Sequence, residues 1–233
     1  MNGETRESGS IVLSDIPFEI SEEKVFEALK MTKRNPSVEK TVRDLVEEMS
    51  PVAKPKAVYR ASYIEKRGED TLMVEGVEFR SKVLRVNTDT AGRLFPYVVT
   101  AGEELDLLVA SKDDYMRIFC LDAIKEMILE QAIGSFETHV EKEYALAATA
   151  HMNPGSLHDW PISEQPKLFG VLGNVKQLIG VSLTESFLMK PLKSVSGIFF
   201  PTEVSFQSCM LCPRHSCSKR RAEYSKAAAS RFD

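Results

Sequence analysis

The sequence predicts an α+β fold in which helices surround an antiparallel sheet. Two helical segments come first, strand-like runs follow from Lys56, and a long helical pattern starts at Asp113 before strand-like runs return. Elements grouped in this way favour α+β over a βαβ arrangement, in which strands and helices alternate regularly. With 233 residues, 43% of them hydrophobic, the chain can form one large domain or two small ones.

The N-terminal segment, residues 1–55, is predicted to hold a disordered tail and two amphipathic helices. Residues 1–10 are rich in polar residues and form the tail. Ser21 is a favourable N-cap for the first helix, and Pro36 opens the second. In the second helix, apolar residues recur at helical spacing until Pro51. We expect the two helices to pack as a hairpin on the rest of the molecule.

The predicted core spans residues 56–206. Its first part is rich in strands, with a turn at residues 67–70 and a buried strand that ends at Gly102. A helix from Asp113 to about Tyr144 follows, with apolar residues spaced three and four apart. About 30 residues at 1.5 Å each make this helix about 45 Å long, enough to cross the domain.

Composition and charge argue against several functional classes. The net charge of −4 lacks the basic excess of a nucleic-acid-binding protein. No apolar run approaches the roughly 20 residues needed to span a membrane. The polar N-terminus lacks the apolar core of a signal peptide, which predicts a cytoplasmic protein. Three of the four cysteines are crowded at one end, unlike the framework of a secreted disulfide-bonded protein.

Residues 151–200 hold the most specific pattern in the chain. They begin with HMNPGSLHDWP, whose prolines and glycine disfavour a continuous helix or strand. A helix opens at residues 163–166, and a shorter one is closed by Gly180, the residue type that helix C-termini favour. Two strand-like runs, residues 181–191 and 194–203, follow with a proline between them.

In this order, the stretch resembles the activation (reactivation) domain of cobalamin-dependent methionine synthase. The residues that carry the resemblance are Pro154-Gly155, Ile179-Gly180, Leu183 to Pro191 (LTESFLMKP) and Ser194 to Phe200 (SVSGIFF). The resemblance implies an α+β fold with a curved antiparallel sheet, flanking helices and one long central helix. It becomes weak before about residue 90. It also implies a stand-alone copy of that domain with an added Cys-rich, basic tail at residues 207–233.

The resemblance implies an accessory protein for a cobalamin (corrinoid)-dependent methyltransferase such as methionine synthase. In that family the domain docks on the cobalamin-binding domain, where inactive cobalamin is reduced and remethylated from S-adenosylmethionine. The expected partner is therefore a cobalamin-binding methyltransferase, and the expected cofactors are cobalamin on that partner and S-adenosylmethionine. The alternative is a non-catalytic docking subunit that completes a separately encoded methyltransferase without binding S-adenosylmethionine. Whether the chain is itself an enzyme stays open.

The resemblance also implies where the ligand binds. The expected cofactor-binding residues are His151, Asn153, Pro154, Gly155, Ser156 and Leu157. The family pattern there is Arg-x-x-Pro-Gly-Tyr, whose arginine and tyrosine contact S-adenosylmethionine, and this chain has His151 and Ser156 at those two positions. A family glutamate that binds the ligand's amino group falls near Gly134 in an ungapped alignment, so its carboxylate is expected to be missing.

Two interpretations of this loop stay open at the level of sequence. Pro154 and Gly155 can form a structural turn left from a degenerate site, or the loop can still face a corrin or its ligand. Beside the loop, Trp160 is predicted to be a packing anchor, and His158 is a candidate cobalt ligand.

The tail carries another candidate site, formed by Cys209, Cys212 and Cys217. Their C-x2-C-x4-C spacing allows three thiolates to reach one metal centre. A structural zinc site, an iron–sulfur cluster that delivers an electron, and free thiols or a reversible disulfide all agree with the spacing. The fourth ligand is unassigned, with His215, Cys120 and a partner residue as candidates. The basic residues 219–221 either stabilise thiolates or are simply solvated.

Overall fold

The computed structural model describes residues 3–7, 9–31, 35–108, 113–203, 206–214, 216–217, 220–230 and 232. Its strands are β1 (Gly3–Glu7), β2 (Ser10–Ser14), β3 (Lys56–Tyr59), β4 (Ser62–Arg67), β5 (Thr71–Val74), β6 (Val77–Arg80), β7 (Arg93–Thr100), β8 (Thr149–Met152), β9 (Ser182–Leu183), β10 (Met189–Lys190) and β11 (Ser194–Pro201). Its α-helices are α1 (Glu22–Ala28), α2 (Pro36–Met49), α3 (Lys82–Asn87), α4 (Tyr115–Glu143), α5 (Gln165–Leu172), α6 (Val175–Ile179) and α7 (Lys226–Ala229).

The main sheet is antiparallel and centred on β7. β3 and β4 pair with one edge of β7, and β11 pairs with the other. β1 and β2 extend the sheet beyond β3, β5 and β6 extend it beyond β4, and β8 lies outside β11. The predicted α+β class, an antiparallel sheet with flanking helices, is therefore confirmed.

Helices cover both faces of the sheet, which explains why β7 is apolar along its length. Phe95, Tyr97 and Val99 pack in the cluster that contains α1, α2 and α4. Leu94 and Val98 pack in the cluster that contains α3, α5 and α6. Successive side chains of a strand point to opposite faces, so a strand buried on both faces is apolar throughout.

The long helix predicted from the three-and-four spacing is confirmed as α4. Its 29 residues correspond to about 43 Å at 1.5 Å per residue. Tyr115 and Ile118 follow this spacing at the start of α4 but are exposed. α2 ends beside this part of α4, where Arg117 forms an ion pair with Glu48. Within the described residues, no helix has the length and apolar character needed to cross a membrane.

Two local predictions are wrong. The predicted disordered tail contains β1, which pairs with β2 from Gly3 opposite Ser14 to Glu7 opposite Ser10. Residues 181–191 do not form one strand but the small hairpin β9–β10. Its turn is stabilised by the Thr184 hydroxyl, which accepts from the Leu188 N–H at 3.1 Å. Hydroxyl side chains that bind nearby backbone favour turns over strands.

Candidate functional site

A cavity of about 760 Å³ lies where the sheet meets α4 and the C-terminal tail. Tyr97 of β7, His151 of β8 and Phe199 of β11 line it from the sheet, and Glu137 lines it from α4. The tail residues that line it are Phe206, Gln207, Ser208, Cys209, Cys212, Pro213, Arg214, Cys217 and Arg221. The loop, the long helix and the cysteine tail, which the sequence analysis considered separately, therefore meet at one cavity.

His151 and Glu137 contact each other at the cavity wall. Nδ1 of His151 lies 3.1 Å from Oε1 of Glu137, and the two side chains are 27% and 29% exposed. His151 was predicted in an irregular loop but lies on β8, opposite Phe199 of β11. This pairing fixes the backbone from which the imidazole faces α4.

We expected the family's ammonium-binding carboxylate to be missing near Gly134, and the structure places the carboxylate of Glu137 beside the loop at His151. The ungapped alignment pointed to Gly134, which is exposed and lines a different cavity. Glu137 lies three residues later, close to one turn further along the same helix. Sequence reasoning therefore missed Glu137, because nothing in the helical pattern shows which carboxylate faces the loop.

Asn153 fixes the start of the loop. Its Nδ2 donates to the Tyr97 hydroxyl at 2.9 Å and to the Ser196 carbonyl at 2.8 Å. Burial raises the pKa of Tyr97 well above its usual value, against the opposing effect of the Asn153 hydrogen bond. The phenol is therefore neutral and forms part of a fixed polar floor. Sequence reasoning missed Tyr97 because it lies in an otherwise apolar strand, where an aromatic residue indicates packing.

The predicted ligand-binding residues separate into two groups. His151, Asn153, Gly155 and Ser156 line the cavity. Pro154 is buried, and Leu157 packs against the cluster on the opposite face of the sheet. Gly155 has a φ of +85°, a conformation that residues with a Cβ adopt only with strain.

Residues after the loop attach it to the core. The Asp159 carboxylate accepts hydrogen bonds from the Ser81 hydroxyl and from the N–H groups of Lys82 and Val83, at 3.2 Å and 3.1 Å for the two N–H groups. Trp160 is fully buried, with its ring centroid 6.3 Å from that of Phe79 in an edge-on contact. The predicted packing role of Trp160 is thus confirmed. His158 is exposed and is not among the residues around the cavity.

The tail cysteines, Cys209, Cys212 and Cys217, all line the cavity and are partly buried. Among the described residues, no group of three histidine, cysteine, aspartate or glutamate side chains could hold a metal ion. The predicted zinc or iron–sulfur site therefore has no support in the described part of the tail. Cys120 is not available as a fourth ligand because it is buried in the core around α4. His215 and Lys219 lie outside the described residues.

Gly197 allows β8 to approach β11 beside the cavity. A Cβ at this position would lie 2.5 Å from the Met152 carbonyl oxygen and 2.6 Å from Nδ2 of Asn153. We expect Gly197→Ala to lower the free energy of unfolding by about 1–3 kcal/mol, the usual cost of overpacking. Chemical denaturation measures this change. Gly134→Ala is the matched control, since its added Cβ meets nothing within 4 Å.

The control should raise the free energy of unfolding by about 0.5–1 kcal/mol, because alanine favours a helix interior over glycine. Equal effects of the two substitutions would contradict the close approach at Gly197.

The side chains around the cavity suit a ligand that carries both signs of charge. Glu137 offers a carboxylate to an ammonium group, and Arg214 and Arg221 offer guanidinium groups to a carboxylate. Tyr97, Ile133 and Phe199 add an aromatic and aliphatic surface. Such a set of groups favours a small molecule that joins an amino-acid end to a flat or apolar body.

Comparison with known proteins finds similarity over the part of the chain that contains this cavity. The family model described as "Vitamin B12 dependent methionine synthase, activation domain" matches residues 83–209, more than half of the chain. Among solved structures, the chain is similar to the one described as "Crystal Structure of the MetH Reactivation Domain bound to AdoHcy". The TM-score is 0.59 and the sequence identity 19%, over 84% of this chain and 80% of that chain. No curated protein matches the sequence. The matched residues contain the loop and Glu137 and end at the first tail cysteine.

Proposed function

This chain belongs to the family of vitamin B12-dependent methionine synthase activation domains, and on that premise we propose that it is an accessory protein of a cobalamin-dependent methyltransferase. It supports the reductive reactivation and remethylation of cobalamin that is bound to the partner protein. The methyl donor, S-adenosylmethionine, binds in the cavity between β8, α4 and the C-terminal tail.

One observation carries this proposal: Glu137, His151 and Asn153 line the same cavity as the loop at Gly155. The Glu137 carboxylate binds the ammonium group of the ligand, because a carboxylate on the wall of a partly enclosed cavity forms strong charge-assisted hydrogen bonds. Asn153 keeps the loop in register with β7 and β11 through its two hydrogen bonds. The similar solved structure contains AdoHcy, the demethylated form of this ligand, which agrees with the proposed ligand class.

The residues of this chain bind and orient the ligand. The reaction itself takes place between the ligand's methyl group and the cobalt of the partner's cobalamin. When bound, S-adenosylmethionine supplies an activated methyl group for transfer to cobalamin on the partner. The open side of the cavity has exposed loop residues, Gly155 and Ser156. We assign to this side the approach of the partner's cobalamin.

Calorimetric titration of the full chain with S-adenosylmethionine and AdoHcy tests the ligand. Titration with a cobalamin-loaded methionine synthase fragment that lacks its own activation domain tests the partner. We expect binding in both titrations, and we expect the complex to restore methyl-cobalamin in the presence of a chemical reductant and S-adenosylmethionine. Absence of binding to both the ligand and the cobalamin protein would contradict the proposal.

A non-catalytic docking subunit is the second candidate, favoured by the contact between His151 and Glu137. The pair engages the carboxylate that would otherwise bind the ligand's ammonium group, and histidine replaces the arginine of the family pattern. A docking subunit should bind the cobalamin protein but give no heat when S-adenosylmethionine is added. The two titrations therefore separate the candidates.

A further inference from the structure

The C-terminal tail folds back over the cavity and is attached to the domain on both sides of its cysteines. Phe206 is only 7% exposed and belongs to the core cluster that contains Trp160. Leu211 packs against the same cluster. Beyond the cysteines, Phe232 packs against this cluster and its carbonyl accepts a hydrogen bond from Nζ of Lys82 at 3.0 Å. The described part of the tail is therefore a packed wall of the cavity.

Arg220 shapes this wall through main-chain carbonyls. Its Nη1 donates to the carbonyls of Cys209 and Ala222 at 3.0 Å and 2.9 Å, and its Nη2 donates to that of Cys212 at 3.0 Å. The carbonyl of Arg214 accepts a further bond from Nη2. A planar guanidinium with several donors in a rigid arrangement holds such a loop closed. These bonds fix the direction in which the next residue, Arg221, leaves the backbone.

Arg221 reaches the ligand-facing side of His151. Its Nη1 lies 3.5 Å from Nε2 of His151, while Nδ1 of the same imidazole faces Glu137. A neutral imidazole that donates from Nδ1 has an acceptor at Nε2, so both contacts are compatible with one tautomer. Carboxylate, imidazole and guanidinium thus form a row along the cavity. In the described part of the chain, no carboxylate forms an ion pair with Arg221.

We propose that Arg221 is a specificity-determining residue that binds the carboxylate of the ligand's amino-acid end. The inference rests on the proposed function and concerns the same cavity. An arginine at position 151 would reach the cavity from β8, but this chain has a histidine there. The tail instead brings a guanidinium next to this histidine, from a position 70 residues later in the chain. With Glu137 at one end of the row and Arg221 at the other, the cavity selects ligands with adjacent ammonium and carboxylate groups.

The test compares two ligands that share the adenosine and sulfur portions. AdoHcy carries the amino-acid end, and 5′-methylthioadenosine lacks it. Titration calorimetry on the full chain should show that Arg221→Ala weakens AdoHcy binding about 10- to 100-fold, the usual loss for one charge-assisted contact. Binding of 5′-methylthioadenosine should not change. Arg221→Lys, which keeps the charge without the two-pronged geometry, should give an intermediate loss.

Arg80→Ala is the matched control, since the Arg80 side chain is 70% exposed and Arg80 is not among the residues around the cavity. Arg214→Ala tests the other tail arginine that lines the cavity. Arg221 is exposed, so its replacement leaves the core intact. Three results would overturn this inference alone. Arg221→Ala could leave the affinity for AdoHcy unchanged, or it could weaken the binding of AdoHcy and 5′-methylthioadenosine by the same factor. The third such result is a selective loss of AdoHcy binding in Arg214→Ala but not in Arg221→Ala. Failure of the unmodified chain to bind AdoHcy overturns both this inference and the proposed ligand.

Discussion

Replacement of Glu137 by alanine is expected to weaken the binding of S-adenosylmethionine and AdoHcy by about 10- to 100-fold, because the ligand's ammonium group loses its charged partner. Glu137 is 29% exposed and lies 3.1 Å from His151, so the carboxylate is held in place before any ligand arrives. Glu137→Gln keeps the shape and removes the charge, and it should cause most of the same loss. Titration calorimetry measures both variants.

Glu143→Ala provides the matched control on the same helix. Glu143 is exposed near the end of α4 and lines a different cavity. Its replacement should leave the affinity unchanged. If Glu137→Ala binds AdoHcy as tightly as the unmodified chain, the ammonium group is not held at Glu137 and the second candidate, a docking subunit, gains support.

The largest loss of stability is expected for Phe136→Ala, at about 3–5 kcal/mol of the free energy of unfolding. Phe136 is fully buried on α4. Its ring lies 5.8 Å from that of Tyr59, 4.7 Å from that of Tyr97 and 5.8 Å from that of Phe199. These residues belong to β3, β7 and β11, so one side chain connects the long helix to three strands of the sheet.

Phe119→Ala separates this packing role from helix propensity. Phe119 lies on the same helix but is 55% exposed, and its replacement should change the free energy of unfolding by less than about 0.5 kcal/mol, as is usual for surface positions. Chemical denaturation followed by circular dichroism measures both variants. Similar losses from the two would show that the aromatic cluster does not connect α4 to the sheet.

Much of the fold follows from local patterns that the sequence displays directly. The three-and-four spacing predicted α4, and the apolar run in β7 predicted a strand buried on both faces, because periodicity reports which faces of an element are covered. Predictions failed where local chemistry competes with periodicity. At Thr184, the alternation of polar and apolar residues resembled a strand, but the hydroxyl stabilises a turn.

For the candidate site, less could be predicted from the sequence than for the fold. The sequence by itself determined the family and the fold class and indicated the turn at Pro154-Gly155, since these depend on residue types in a fixed order. Only the tertiary structure decided that Glu137, His151 and Arg221 lie in one row. These residues come from a helix, a strand and the tail, and all three line the same cavity. No local pattern records such a contact, because it depends on how separate elements pack rather than on the sequence around any one of them.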